Sequence, residues 1–286
     1  MRIVSLAAAL GVFLCSAGFS RAEGEASAAA DTATQSDDQL TGEEIYDRAL
    51  DNRFYSYVQE IVMRSGGRSK QVQTTEMKMM YLSYRGEDPR FLSKSIAKYS
   101  MPQDVRHLGY LVIKKSDGSE DQFVYRPSSR RVRRINLQGE AVFGTDFSME
   151  DILPREIEDA TYVRDADSTI EGLPVFVVEV TPKPEKESEY SKLVVYVEKQ
   201  HYVVIRTHYW DKYEIKIKEL NADLEAIKMF EGTERNGDKK QIWVPTASRI
   251  TQLKNETYTT LNVEKLELDR KLRDKHFSQR KLTASR

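Results

Sequence analysis

The stretch Tyr125–Ile152, YRPSSRRVRRINLQGEAVFGTDFSMEDI, decides how this chain is read. Pro127-Ser128-Ser129 is turn chemistry between two short runs, and the second run packs Arg130, Arg131, Arg133 and Arg134 into five positions. On an extended strand Arg131, Arg133 and Ile135 share one face, and Arg130, Val132 and Arg134 the other. Guanidinium groups on both faces are poor core material, so this is an edge strand or one whose charges are paired. A turn containing Gly144 follows, then Phe147 and the acids Asp146, Glu150 and Asp151. Asp146 or Ser148 is placed to cap a helical turn there, with acids at its positive end. Two readings stay open: an internal Arg–carboxylate network tying loop to strand, or a docking patch for a membrane partner or anionic headgroups.

Working outward, the pattern on both sides of this stretch has period two and is rich in β-branched and aromatic residues. Strands are expected over 55–64, 71–85, 90–100, 107–115, 121–126 and 130–137. Beyond the acidic run they are expected over 160–169, 173–182, 191–198, 201–210, 213–221, 224–231, 241–252 and 255–269. Turn signals such as Gly66-Gly67, Asp117-Gly118, Glu171-Gly172 and Asn236-Gly237-Asp238 separate many of them. Short turns between consecutive strands imply an antiparallel meander. The result is a mainly β protein built on one large sheet, a sandwich or a barrel, with few helices. One helix is marked clearly: Thr41 and Glu44 form a capping box, Leu40 and Ile45 a staple around it, and the helix ends near Asn52.

The strands are apolar on both faces. Met77, Met79 and Tyr81 point one way while Met80, Leu82 and Tyr84 point the other, and Leu108, Tyr110 and Val112 alternate with Leu111 and Ile113. A sheet with one wet face would alternate more cleanly, so both faces need covers: a helix, a second sheet or a ligand. An ordinary packed core and a cargo cavity both satisfy this pattern, and methionines serve in either.

The chain opens with Arg2 and eighteen uncharged, mostly apolar residues, Ile3–Ser20, followed by Ser20-Arg21-Ala22. This predicts a secretory signal cleaved after Ala22. Acylation at the single cysteine, Cys15, is disfavoured because Leu14 stands where a small residue is needed. Residues 23–39, poor in large apolar side chains, are expected to form a disordered leader, and residues 40–286 a single domain. Losing Arg2 and Arg21 moves the formal charge from −1 to −3, which leaves no basic excess for nucleic acid. An exported chain without cysteine after the signal fits a bacterial periplasm.

Catalytic motifs are missing. The four histidines lack metal-ligand spacing, and there is no Gly-x-Ser-x-Gly elbow, phosphate loop or Cys-x-x-Cys pair. Paired carboxylates such as Glu150-Asp151 are mostly solvated surface in a chain that is 31% charged. No enzyme activity and no cofactor are expected.

At Tyr125, Pro127, Arg130 to Ile135, Phe143 to Ser148, Glu150 and Asp151 the chain resembles the LolA-like outer-membrane lipoprotein-sorting proteins, specifically their larger branch. The likeness continues through Tyr190-Ser191-Lys192 and Trp243-Val244-Pro245 and closes on Phe277 and Leu282. The resemblance implies a strongly curved, incomplete antiparallel barrel closed by helices. It also implies a monomeric periplasmic carrier of lipid or acylated lipoprotein, working beside lipid-exporting transporters of the RND superfamily. The lid-closing arginine of the smaller lipoprotein chaperone maps onto no residue here. Met77, Met79, Tyr81, Leu108, Tyr110 and Val112 are the candidate cavity lining. A sensor or transporter-accessory module of the same fold is the alternative reading, and a hydrolase would need a convergent polar cluster in a pocket.

Overall fold

The computed structural model describes residues 39–68, 71–234, 236–268 and 270–284. The expected signal and all but the last residue of the expected leader lie outside the described residues. Helix α1 (Gly42–Asp51) begins at the anticipated cap: the Thr41 side chain accepts from the Glu44 N–H at 3.2 Å, and Glu44 accepts from the Thr41 N–H at 2.8 Å.

The strands then follow as a meander. The first six are β1 (Ser56–Gly66), β2 (Gln73–Ser83), β3 (Phe91–Met101), β4 (Gly109–Lys115), β5 (Glu120–Arg126) and β6 (Arg131–Arg134). A long excursion over 135–159 holds only the short helix α2 (Met149–Ile152) and a single turn at Ile157–Asp159. The chain resumes with β7 (Ala160–Ile170), β8 (Leu173–Pro182), β9 (Lys192–Glu198), β10 (Val204–Trp210) and β11 (Lys216–Ala222). Next come β12 (Ile227–Thr233), β13 (Lys239–Pro245), β14 (Ala247–Gln252), β15 (Thr257–Leu268) and the terminal helix α3 (Gln279–Thr283).

Thirteen strands form one antiparallel sheet in the order β6-β5-β4-β3-β2-β1-β15-β14-β11-β10-β9-β8-β7, while β12 and β13 form a separate ribbon. The sheet is open, with β6 and β7 as its edges. The single strand expected over 241–252 is two. Pro245 brings no N–H to a ladder, and the chain bends at Thr246, whose N–H bonds to Ala226. Residues before the bend pair with β12 and those after it join the main sheet. The strand expected over 130–137 is shorter, because the Leu137 N–H leaves the ladder for the Gln122 side chain at 2.7 Å.

Each face of the sheet has its own cover. On one face Phe176, Val178, Val180, Leu193, Val195 and Val197 pack under α1 through Leu40, Ile45 and Tyr46. The same face, in the other half of the sheet, packs under the excursion. On the opposite face Leu82, Ile96 and Leu111 are covered by Phe277 and Leu282 of the C-terminal segment, both almost fully buried. Leu282 sits against Gly109, where a Cβ would lie 2.9 Å from its Cδ1. In the other half of that opposite face Val175, Val177, Val203 and Ile205 pack with Ile227 and Trp243 of the β12–β13 ribbon, so the two-sided apolar strands are explained by helices, loops and this small second sheet together.

The first face is the concave one. Lys114 of β4 and Glu120 of β5 point to the same side as Val112, and they meet groups from the far end of the strand order. The Lys114 ammonium is 2.7 Å from Asp159, and the Lys186 ammonium is 2.7 Å from Asp159 and 3.2 Å from Glu120. The sheet therefore curls until its two ends are joined through side chains, an incomplete barrel whose seam is ionic rather than laddered.

Candidate functional site

The excursion after β6 fills the inside of this curl. Leu137, Val142, Phe147 and Met149 are buried against Ile61, Met63, Met77, Met79, Tyr99 and Tyr110, with Ile152 and Leu153 packed alongside. Five of the six candidate lining residues, Met77, Met79, Leu108, Tyr110 and Val112, belong to this layer. Tyr81 shares their face and is buried too, but it lies apart, stacked on Tyr57 at 5.2 Å beneath the Arg53 guanidinium. Four methionines share the layer, Met63, Met77 and Met79 from the sheet and Met149 from the cover. Their thioethers are unbranched and adapt to changed neighbours more readily than Leu or Ile.

Polar groups pin the excursion at three places. Asp146 accepts from the hydroxyls of Thr257 (2.5 Å) and Thr259 (2.8 Å) on β15. Asp151 closes a capping box on Ser148 and accepts from the Tyr190 hydroxyl at 2.7 Å. Glu150 accepts from the Ser188 hydroxyl at 2.6 Å and lies 3.6 Å from Arg155. Burial pushes the Tyr99 hydroxyl up to about 12, so it stays protonated while its oxygen accepts from the Phe143 N–H at 3.0 Å. Gly144 has φ +70 and leaves no room for a Cβ beside Gln73.

The arginines do not join this network: of the two readings left open, the Arg–carboxylate lock is not formed by Arg130, Arg131, Arg133 or Arg134 with Asp146, Glu150 or Asp151. Arg130, Arg131, Arg133 and Arg134 are all exposed along the edge strand β6 and its turn. Among the described residues only Arg134 of these four pairs with an acid, Asp121 at 2.5 Å. Asp146, Glu150 and Asp151 are satisfied by Thr, Tyr, Ser, Lys and Arg155 instead, and Glu140 lies 3.4 Å from Arg126 of β5. The lock exists, but the acids make it with the sheet behind them.

Reading the sequence missed two charged clusters that hold the excursion's far end. Glu156 is fully buried, 2.8 Å from Arg53, 2.9 Å from Arg85 and within 2.7 Å of the Ser93 hydroxyl. Burial alone would raise its carboxyl, but the Arg53 and Lys114 charges and the Ser93 hydrogen bond hold it below the ordinary value. Asp159 is depressed in the same way, burial being outweighed by Lys114 and Lys186. The available signal was a lysine at an inward strand position: Lys114 two residues after Val112, and Lys218, which bonds the Tyr190 hydroxyl at 2.9 Å.

At the seam a cavity of ≈ 60 Å³ opens between Val112, Leu137, Leu153, Pro154 and Tyr162, rimmed by Lys114, Asp159 and Lys186. That is the room of about two waters, well below the several hundred Å³ of a typical ligand pocket. As it stands, the inner face is occupied by the chain's own side chains. Among the described residues no cluster of His, Cys, Asp and Glu could hold a metal, and no helix is long and apolar enough to cross a membrane.

An open, curled antiparallel sheet wrapped around its own loop and closed by short helices is the LolA-like architecture. A family model described only as an uncharacterized protein matches residues 92–284, and the chain belongs to that family. No curated protein matches it in sequence. Among solved structures, a domain described as an outer membrane lipoprotein-sorting protein from Vibrio parahaemolyticus is 23% identical. The match covers 85% of this chain and 98% of that one, with a TM-score of 0.71. A DUF1329 family protein from Desulfovibrio piger is 25% identical over 84% of this chain and 98% of its own, with a TM-score of 0.70. A LolA superfamily protein from Nitrosomonas europaea is 18% identical over 84% and 98%, with a TM-score of 0.62.

Proposed function

We propose that residues 40–286 are one carrier domain that works in the periplasm. On this reading it shelters the acyl chain of a lipid or lipoprotein against its inner sheet face and passes it toward the outer membrane. The observation that supports the reading best is the nature of the cover. The methionine-rich inner face is closed by a loop whose regular structure within 137–153 amounts to a four-residue helix. A loop can leave such a face without dismantling the sheet. The likeness to a structure named for outer-membrane lipoprotein sorting supports the same reading.

The energetics suit reversible loading. Each acyl methylene buried contributes about 0.8 kcal/mol, and exposing Leu137, Val142, Phe147 and Met149 offsets much of that gain. Loading is then an exchange of one apolar cover for another, with a modest net affinity. Such a cycle needs a donor, and the family resemblance implies an inner-membrane transporter of the RND superfamily in that role.

The test has two arms. Mass spectrometry of the native protein should find co-purifying lipid, and the purified protein should bind a fluorescent fatty acid saturably, with unlabelled lipid displacing it. A protein that purifies empty and gives no saturable signal would sink the reading.

A further inference from the structure

We infer that one end of the curled sheet is a docking surface for an anionic lipid bilayer. Strand polarity places the β1–β2, β3–β4, β5–β6, β8–β9, β10–β11 and β14–β15 connections at the same end, and the curl carries β8–β9 off to the seam, where Lys186 bonds to the Gly118 carbonyl. Of the eight large apolar side chains exposed among the described residues, six belong to that end: Val72, Met101, Phe143, Tyr213, Ile215 and Leu253. The turns at the other end, Tyr84–Arg90, Ser116–Ser119, Glu171–Gly172 and Lys199–Val203, contribute none. Single exposed apolar residues are ordinary on a protein surface, but their confinement to one end is not. Tyr213, 83% exposed, and Ile215, 58% exposed, stand on the tip next to Leu253, whose N–H bonds to Ile217.

Charge supplies the occupant. Arg106, Arg130 and Arg131 stand exposed on the β3–β4 and β5–β6 connections and pair with no carboxylate among the described residues. Lys212 and Lys254 flank Tyr213 and Leu253. Apart from Glu185 and Glu187, which go with the β8–β9 connection to the seam, the exposed acids of these turns are Asp104, Glu214 and Glu256, and Glu256 is already held by Arg68 at 2.7 Å. Cationic side chains on an edge strand also deter strand pairing, but that role asks nothing of the apolar tips beside them. Separate apolar tips interleaved with unpaired guanidinium groups fit headgroups and shallow insertion better than a folded partner, and the hollow of ≈ 570 Å³ beside Val72 is lined by polar groups such as Gln73, Thr145, Asp146 and Asn255 rather than by an apolar floor. Tyr213 has the amphipathic ring that favours the headgroup level.

The inference rests on the carrier reading for its purpose, because a carrier that exchanges lipid must meet a membrane. Its geometry is independent of that reading. The Phe143–Asp146 turn of the inner cover emerges at this same end, bonded to Thr75, Thr257 and Thr259 near the strand ends. Docking there brings the bilayer to the one part of the cover that reaches the surface.

The test is flotation of the purified full-length protein with vesicles of phosphatidylcholine alone and of phosphatidylcholine mixed with phosphatidylglycerol. Binding to the mixed vesicles should be stronger by about tenfold or more and should fall with added salt. The variant R106Q/R130Q/R131Q should lose that preference, and M101S/Y213S/L253S should lose binding to both vesicle types. The control V163S/M229S, which removes exposed apolar side chains away from this end, should bind like the parent. All variants should keep fatty-acid binding, so a failed vesicle arm with intact acyl binding overturns the docking surface and leaves the carrier reading standing. Equal loss in the control, or no binding to either vesicle type, would also overturn it; in the second case the surface belongs to a protein partner.

Discussion

The Tyr190 hydroxyl donates to the Asp151 carboxylate at 2.7 Å and accepts from the Lys218 ammonium at 2.9 Å, with all three side chains buried. This triad ties helix α2 of the inner cover to β11 and to the connection two residues before β9. Removing one member of a buried charge pair leaves the other uncompensated, which costs more than the pair contributes. Asp151→Ala should therefore lose about 3–5 kcal/mol in urea unfolding. Tyr190→Phe, which keeps the ring, should lose about 1.5–3 kcal/mol. The double variant D151L/K218M should recover much of the single loss. A D151A protein as stable as the parent would show that the triad does not hold the cover down.

Gly144 gives the second prediction. Its φ of +70 is strained for any L side chain, and a Cβ there would run into the Gln73 amide. Gly144→Ala should cost more than about 1 kcal/mol by thermal unfolding, since strain and clash add. Combining it with Gln73→Ala should restore the steric part and leave the backbone part. Full recovery in the double variant would mean that φ carries no penalty here.

Much of this architecture was legible, and the reasons are local. Period-two patterning and turn residues place most strands within a few residues, and the Thr41–Glu44 cap shows directly in the sequence. The split at Thr246 was not legible, because Trp243-Val244-Pro245 and Ser248–Gln252 have the same alternation and only their partners differ. The two covers were foreseen as a need, while their identity depends on contacts over a hundred residues apart, such as Leu282 on Gly109 and Asp146 on Thr257. The arginines misled for a related reason. Composition puts acids and guanidinium groups a dozen residues apart, but the edge position of β6 sends one set outward and the turn at Gly144 sends the other inward.

The seam should be sensitive to acid. The carboxyls of Asp159 and Glu156 are held below their ordinary values by neighbouring cations. A carboxyl with a lower folded than unfolded value binds fewer protons when folded. The stability it adds is complete above about pH 5 and is lost as pH falls through the unfolded value near 4 toward the folded one. Chemical unfolding followed from pH 7 to pH 3 should show this decline, and Asp159→Asn should flatten it while lowering stability at pH 7. A parallel decline in the variant would place the acid sensitivity elsewhere.

The last prediction separates a removable cover from a permanent core. The Thr259 hydroxyl bonds both to the Asp146 carboxylate at 2.8 Å and to the Asp146 N–H at 2.9 Å, so these two positions are where a cysteine bridge between the excursion and β15 is best placed. With Cys15 replaced, the variant D146C/T259C can be oxidised to fasten the excursion to β15 and reduced to release it. Both states lack the Asp146 hydrogen bonds, so comparing them isolates the tether. If the acyl chain takes the place of Leu137, Val142, Phe147 and Met149, the oxidised protein should bind a fluorescent fatty acid about tenfold more weakly than the reduced one. That ratio corresponds to about 1.4 kcal/mol of cover displacement withheld. Equal binding in the two states would mean that the methionine layer is a permanent core and that any acyl chain is held elsewhere.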